Sequence, residues 1–289
     1  MAGKDIVKDE TPSDPKFMVL PEGQTAMVDY GEDAGTGFEN QSVDDVSIPF
    51  IDILQPGSPE VVTAGKGGAR AGEIINRVTG ETWEGDTGIV VIPAITEHVY
   101  TEWKPKKGPN GETLPGGFVA RHALEEEMSQ RARKESPFKP FRLPNGNDLL
   151  ETFYVPSLQV DESTGNYSPV ILAFGSTKIP AYKNWMYIAR AIQVLTKPVE
   201  QGGRRVNPPL FSHKYRITTK MKEKDGNRWF IPVIGFAGKD AETSRLLPND
   251  QAYLAARDVK VSYTRGDIKA DYAKTSADVT VQDDGKPPF

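Results

Sequence analysis

Residues 88–103 constrain the fold of this chain most strongly, because two different strand patterns follow each other there without a break. The run from Ile89 to Ile92 is apolar at every position, as in a strand that is buried on both faces. From Glu97 to Trp103 polar and apolar residues alternate, which is typical of a half-buried strand. The sequence therefore predicts a β-sheet as the main structural element.

Three further segments have the pattern of strands joined by turns. Residues 73–83 predict a short hairpin around Thr79-Gly80, and residues 152–160 and 167–174 predict two successive strands. Residues 211–236 predict a long hairpin, because its Asp225-Gly226 pair suits a turn that needs positive φ angles.

Helical patterns are fewer. Residues 123–134 have a helix-forming composition, and residues 181–195 place Trp185, Ile188, Ile192 and Leu195 at helical spacing on one face. A short helix at 250–257 and a strand at 259–263 are expected to follow. The chain is thus predicted to be mainly β with one or two helices, a β-rich α+β fold, and we expect an OB-fold-like barrel with insertions.

Charge divides the chain into a body and two arms. The net charge is −5, yet residues 1–50 contain three basic and eleven acidic residues, and residues 264–289 contain four basic and five acidic ones. The remaining residues, 51–263, therefore carry a net charge of +4. We expect a disordered acidic arm at 1–46, a single OB-like nucleic-acid-binding domain at 47–263 and a flexible acidic tail at 264–289.

Several function classes find no support in the sequence. The chain has no cysteine and only three histidines, which are far apart, so neither a thiolate metal site nor a cysteine nucleophile is expected. No catalytic motif stands out, and we predict a protein that is not an enzyme and that needs no cofactor or metal. Without an apolar run of membrane-spanning length or a signal peptide, we expect no membrane contact and a cytoplasmic location, in the host if a phage encodes the protein.

The most informative block lies between residues 176 and 230. It contains twelve Lys or Arg residues against three acidic ones, with aromatic residues interspersed. Cations displace counterions from phosphates and aromatic faces stack on unpaired bases, so this composition favours single-stranded nucleic acid. In the strand pattern, Lys214, Arg216, Lys220 and Lys222 share one face, while Tyr215, Ile217 and Met221 are expected to face inward.

On the helix at 181–195, Trp185 is expected in the core, whereas Lys183, Tyr187 and Arg190 lie on the opposite face. Helix and hairpin are expected to form one basic-aromatic surface, and residues 100–104 a second basic edge. The candidate nucleic-acid-binding residues are Lys183, Tyr187, Arg190, Arg204, Arg205, Lys214, Arg216, Lys220, Lys222, Arg228, Trp229, Tyr100, Trp103 and Lys104.

The last residues resemble a known docking tail. Asp283-Asp284 followed by Pro287-Pro288-Phe289 resembles the acidic tip of bacterial single-stranded-DNA-binding proteins and the Phe-ended tail of the T7-type phage protein. The resemblance implies that Asp283, Asp284, Pro287, Pro288 and Phe289 bind a protein partner, although Lys286 interrupts the pattern. The body, notably residues 47–55 and 88–93, resembles an uncharacterised phage family associated with replication. The chain does not resemble the T4-type binding protein, because the zinc site of that family needs cysteine ligands and this chain has none.

Together these features predict a phage protein that binds single-stranded DNA without sequence preference during replication or recombination. Its tip is expected to recruit a polymerase, primase, helicase or nuclease, and to fold back onto the basic surface when DNA is absent. Two alternatives remain open: a virion or scaffold protein, and a recombination mediator or inhibitor that acts through protein contacts.

Overall fold

A computed structural model describes residues 47–63, 68–105, 112, 114, 116–136, 139–270 and 272. The helices are α1 (Pro59–Val62), α2 (Glu127–Glu135), α3 (Ile179–Ala191) and α4 (Gln251–Arg265). The strands are β1 (Ser47–Ile48), β2 (Phe50–Ile53), β3 (Ile74–Asn76), β4 (Thr82–Trp83), β5 (Ile89–Pro93), β6 (Glu97–Lys104), β7 (Gly117–His122), β8 (Phe141–Arg142), β9 (Asp148–Val160), β10 (Tyr167–Gly175), β11 (Val194–Leu195), β12 (Arg205–Val206), β13 (Tyr215–Lys224), β14 (Asn227–Phe236) and β15 (Lys269–Ala270).

Eleven of the strands form one mixed sheet. Its main path runs β14-β13-β5-β9-β10-β2-β3-β4, and β6, β7 and β8 join through β9 and β6. Strand β10 runs parallel to β2, whereas the other pairs in this sheet are antiparallel. The prediction of a mainly β fold is confirmed. The sheet is larger than the five-stranded barrel of an OB-fold.

The sheet curls around its main core, so that its two ends approach each other. Ile53 of β2 and Ile74 of β3 share this core with Ile217 of β13 and Ile234 of β14. A side chain, and not a further pair of strands, connects the segment after β2 to β14. The Gln55 Oε1 atom accepts a hydrogen bond from the Phe230 N–H at 2.9 Å, and the Gln55 Nε2 atom donates to the Phe230 carbonyl oxygen at 3.1 Å.

Helices cover both faces of the sheet. Helix α3 packs on the concave face, where its fully buried Trp185 meets Tyr215 edge-on at 5.4 Å between ring centroids. Helix α4 packs on the convex face, where Ala256 and Val259 contact Ile92 and Leu158. Strand alternation accounts for this division, because neighbouring residues of β5 and β9 point to opposite faces.

Two local predictions in this region were wrong. Residues 259–263 were expected to form a strand, but they continue α4 to Arg265. Their spacing explains the helix, since Ala256, Val259 and Tyr263 recur at three- and four-residue intervals on its buried side. Helix α3 ends at Ala191, four residues before the predicted end, because Asn207 Nδ2 donates to the free carbonyl oxygens of Arg190 and Ile192.

Residues assigned to the C-terminal tail contribute to the folded body. Strand β15 pairs in parallel with β1, with Ser47 opposite Lys269 and Ile48 opposite Ala270. The ring of Tyr272 lies 5.2 Å from that of Tyr154, and the Arg121 guanidinium lies 4.3 Å above it. The chain thus enters and leaves the described fold along two adjacent strands.

Candidate nucleic-acid interface

The predicted basic residues of α3 lie on its solvent side. Tyr182, Trp185 and Met186 are buried against the sheet, while Lys183 and Arg190 are exposed and the Tyr187 side chain is 75% exposed. The arrangement follows from helical spacing, which separates the apolar stripe from the cations.

The predicted basic residues of the hairpin lie on the other side of the sheet. Tyr215 and Ile217 point toward α3 in the concave core, so Arg216 between them points to the convex face. The expectation that α3 and the hairpin form one basic-aromatic surface was therefore wrong. The physical reason is that α3 docks on the apolar face of the same strand whose opposite face is basic.

The outer half of the β13–β14 hairpin combines cations with an aromatic ring. In the antiparallel register Lys220 lies opposite Ile231, Lys222 opposite Trp229, and Lys224 opposite Asn227. Directly opposite residues share a face, so lysines on one strand stand beside apolar side chains on the other. We call this surface the hairpin face, and it consists of Arg216, Lys220, Lys222, Lys224, Trp229, Ile231 and Val233.

The cations of the hairpin face differ in their pairing. Arg216 donates to Glu162 Oε1 at 2.7 Å and to the Thr87 carbonyl oxygen at 3.2 Å. Lys220, Lys222 and Lys224 are exposed, and among the described residues none has an ion-pair partner. Arg228 belongs to the opposite face, where it contacts Glu223 at 2.8 Å. The three lysines are thus the cations of this face that are available to an anionic ligand.

The base of the hairpin is fixed to the body by close backbone contacts. The Thr219 N–H donates to the Gly85 carbonyl oxygen at 2.9 Å, and the Thr219 hydroxyl donates to the Gly72 carbonyl oxygen at 2.6 Å. A Cβ atom on Gly72 would lie 2.5 Å from the Phe230 ring, so only glycine allows this approach. Beyond this level the hairpin projects outward, and Met221, which was expected to face the core, is 48% exposed.

The second predicted basic edge is not a single surface. Tyr100 is 4% exposed and packs with Ala132 and Leu149, which withdraws its ring from any ligand. Trp103 is partly buried, meets Phe118 edge-on at 5.7 Å and donates from Nε1 to the Thr101 hydroxyl at 3.0 Å. Lys104 is exposed at the end of β6. Strands β9 and β5 separate β6 from the hairpin.

The remaining candidates lie near a cleft that the sequence analysis missed. Arg204 and Arg205 are exposed in the β11–β12 segment, and Lys214, partly buried, precedes β13. Arg205 lines a cleft of about 350 Å³ together with His213 and Arg245. Nothing in the local sequence pattern connects His213 to Arg205 or Arg245, so the cleft could not be predicted from it.

A polar cluster joins β6, β7 and the start of α2. The buried Glu102 carboxylate contacts His122 Nε2 at 2.9 Å, and accepts hydrogen bonds from the Nδ2 atoms of Asn145 and Asn147. His122 Nδ1 lies 2.9 Å from Glu126. Burial disfavours the charged imidazole, but hydrogen bonds to Glu126 and Glu102 outweigh it and raise the pKa of His122 above 6.5. The polar groups of this cluster bind one another, so we interpret it as a structural brace that links these elements and not as an open ligand site.

A model of one protein family matches most of the chain. The family is described as Pam3 phage gp34-like protein, and the match covers residues 17–269. The chain belongs to the Pam3 phage gp34-like family. The description gives the family a phage source, as the sequence analysis expected, and names no activity. No curated protein and no solved structure matches the chain.

In this member of the gp34-like family, the predicted partner-binding residues Asp283, Asp284, Pro287, Pro288 and Phe289 lie outside the described residues. Within the described ranges, no group of three or more His, Asp or Glu residues is arranged to hold a metal ion. No helix of the described part is long and apolar enough to cross a membrane.

Proposed function

We propose that this phage protein binds single-stranded DNA without sequence preference, and that the hairpin face holds the strand. The observation that carries the proposal is the placement of Lys222 directly opposite Trp229, between Lys220 and Lys224. These lysines, which have no ion-pair partner among the described residues, attract the phosphates, and the partly exposed indole offers a face on which any base can stack. No base-specific hydrogen-bonding group is required.

The dimensions of the hairpin face suit a short single strand. From Arg216 to Lys224 the strand advances through eight rises of about 3.3 Å each, roughly 26 Å in all. A groove or face of this length corresponds to a few nucleotides, at the lower end of the 4–16 nucleotides that one single-strand-binding module covers. The three available lysines stand at every second residue of the outer half, so the DNA backbone can follow this part of the protein strand.

The working context that we propose is DNA replication or recombination, with the C-terminal tip recruiting a polymerase, primase, helicase or nuclease. The support for this part is the resemblance of Asp283-Asp284 and Phe289 to the acidic docking tips of single-stranded-DNA-binding proteins. In sequence twelve residues separate β15 from the tip, so under this proposal a partner bound to the tip stays attached to the protein on the DNA.

The test is an electrophoretic shift with labelled oligo-dT at low salt. The variant Lys220→Glu/Lys222→Glu/Lys224→Glu is expected to lose binding, because three attractive contacts become repulsive. The control variant Lys183→Glu/Arg190→Glu reverses two charges on the other side of the sheet and is expected to bind as the parent does. No binding of the parent at micromolar protein, or equal binding by both variants, would refute the proposal.

A further inference from the structure

A cleft lies beside the β11–β12 segment. Its volume is about 350 Å³, at the lower end of the roughly 300–1,000 Å³ of small-molecule sites. The segment that follows α3 forms one wall, including Ile192 and Leu195, and Glu242 and Arg245 form another. It therefore joins parts of the chain that are about 50 residues apart in sequence.

His213 is the buried polar group of this cleft. The residue is 2% exposed and is one of those that line the cleft. The Nδ1 atom lies 2.7 Å from the Ser212 hydroxyl, and among the described residues Nε2 has no hydrogen-bond partner. Burial and the nearby Arg245 lower the pKa of His213, so the ring is neutral at pH 7. A neutral ring with Nδ1 occupied offers one hydrogen bond through Nε2, whichever tautomer is present.

The position of His213 is fixed by its neighbours. His213 forms a β-bridge with Arg245, while the Lys214 N–H donates to the Ser244 carbonyl oxygen at 2.9 Å. The Leu246 N–H donates to the Ser212 carbonyl oxygen at 2.8 Å on the other side. These hydrogen bonds lie on both sides of His213, so they fix its position relative to the Arg245 backbone. A ligand site requires residues that are held in place in this way.

Two guanidinium groups line the cleft and make its charge favourable for an anion. Arg205 is exposed and has no ion-pair partner among the described residues, and Arg245 contacts Glu242, whose side chain is largely in solvent. With one carboxylate against two guanidinium groups, the lining carries a charge of +1. Guanidinium forks match phosphate oxygens in geometry as well as in charge. The apolar side chains of Ile192 and Leu195 supply a wall for a planar, weakly polar group.

We propose that this cleft binds one nucleotide, with its phosphate held by Arg205 and Arg245 and its base against Ile192 and Leu195. His213 Nε2 makes the hydrogen bond that orients the bound unit. The inference rests on the proposed function in one respect: the nucleotide belongs to the DNA strand that the protein binds. The cleft then holds a single unit of that strand at a site separate from the hairpin face.

The ligand test uses the full chain with three probes: thymidine 5′-monophosphate, thymidine and inorganic phosphate. Since the chain has only three histidines, the imidazole C–H signals in an NMR titration can be followed one by one. The monophosphate is expected to shift one signal, which His213→Gln removes from the spectrum. It should bind more tightly than either thymidine or phosphate alone, because it fills both parts of the cleft.

Arg205→Ala provides the test by substitution, and Arg265→Ala is its matched control. Both residues are exposed, so neither change should affect folding, but only Arg205 lines the cleft. Arg205→Ala is expected to weaken binding of the monophosphate by about tenfold or more, the effect of losing a charge-assisted hydrogen bond. Arg265→Ala should change that binding less than twofold. Equal effects of the two changes, or no shift of the His213 signal at millimolar monophosphate, would overturn the inference.

The two proposals fail in different ways. If oligo-dT binds and the hairpin lysine variant abolishes that binding, while the monophosphate does not bind, the cleft assignment falls and the hairpin face stands. If the monophosphate binds with the expected Arg205 dependence but oligo-dT does not bind, the proposed function falls. In that case the cleft is a site for a free nucleotide.

Discussion

Lys222 and Trp229 lie directly opposite each other in the register of β13 and β14, on the half of the hairpin that projects beyond Thr219 and Phe230. A residue pair of this kind places a cation beside an aromatic face at a distance of about 5 Å between Cβ atoms. The pair can therefore contact a phosphate and the adjoining base of the same nucleotide chain.

Removing the Trp229 ring should weaken DNA binding without unfolding the protein. Stacking on one base contributes about 1–3 kcal/mol, so we expect Trp229→Ala to lower the affinity for oligo-dT about tenfold or more. Trp229→Phe should retain most of the affinity. Trp103→Ala is the matched aromatic deletion on β6. Fluorescence anisotropy with labelled oligo-dT measures all three, and an equal loss in Trp103→Ala would argue against the hairpin face.

Neutralising the three lysines should change the salt dependence of binding. Each phosphate contact with a single strand contributes about 0.7 to the slope of log affinity against log salt concentration. The variant Lys220→Ala/Lys222→Ala/Lys224→Ala should therefore reduce that slope by about 2. Lys183→Ala/Arg190→Ala should leave it unchanged. A reduced slope in the α3 variant, with none in the lysine variant, would place the strand on the other side of the sheet.

The brace around His122 should give a defined pH dependence of stability. A raised pKa in the folded state means that the contribution of His122 is fully present below pH 6.5 and is lost as pH rises through the folded pKa. The hydrogen bonds of Glu102 and Glu126 lower the pKa values of both carboxyls, so their contribution is lost only as pH falls through those lowered values. Between these pH limits, the ion pairs of His122 with Glu102 and Glu126 are intact.

The measurement is the difference in unfolding free energy between the parent and His122→Gln, from urea titrations at several pH values. The difference should be largest near pH 6 and shrink toward pH 8.5. His213, whose lowered pKa has the opposite effect on stability, is present in both proteins and cancels. A difference that grows with pH would contradict the brace.

Gly72 should be intolerant of any side chain. Its φ angle is +95°, and a Cβ atom there would lie 2.5 Å from the Phe230 ring. We expect Gly72→Ala to reduce the unfolding free energy by more than about 1 kcal/mol, through backbone strain and displacement of Phe230. Gly57→Ala is the control, since nothing lies within 4 Å of that position and its φ is not positive. Urea unfolding measures the stability of both variants. Equal stabilities would show that the Phe230 ring does not pack against Gly72.

Removing residues 279–289 should tighten the binding of oligo-dT at low salt. The deletion removes Asp283, Asp284 and the terminal carboxylate, which compete with phosphates for the same lysines under the proposed function. The gain should disappear at high salt, because screening suppresses both interactions. Weaker binding after deletion would mean that the tail contributes to DNA binding instead of competing with it.

Local pattern was enough for several strands and for the hairpin turn. The apolar run of β5, the alternation in β6 and the Asp225-Gly226 turn depend on neighbours in sequence, and the structure places each as expected. Burial of Trp185 followed from helical spacing in the same way.

Relations between distant elements could not be obtained from pattern alone. That α3 packs on the Tyr215 face of β13 is decided by the curl of the whole sheet, and this separates Lys183 from Lys222. The cleft depends likewise on a bridge between His213 and Arg245, two residues with no pattern in common. The helical end of α4 was missed because the β-branched Val259 and Val261 favour strands locally, whereas packing on Leu158 favours the helix.

Gln55 also interrupts the open edge of the sheet. Strand β14 is an end of the sheet, and such strands are templates on which proteins join edge to edge and aggregate. Here the outward N–H and carbonyl of Phe230 are taken by the Gln55 amide, and Pro232, two residues on, has no N–H to offer. A second copy therefore meets an interrupted row of donors and acceptors.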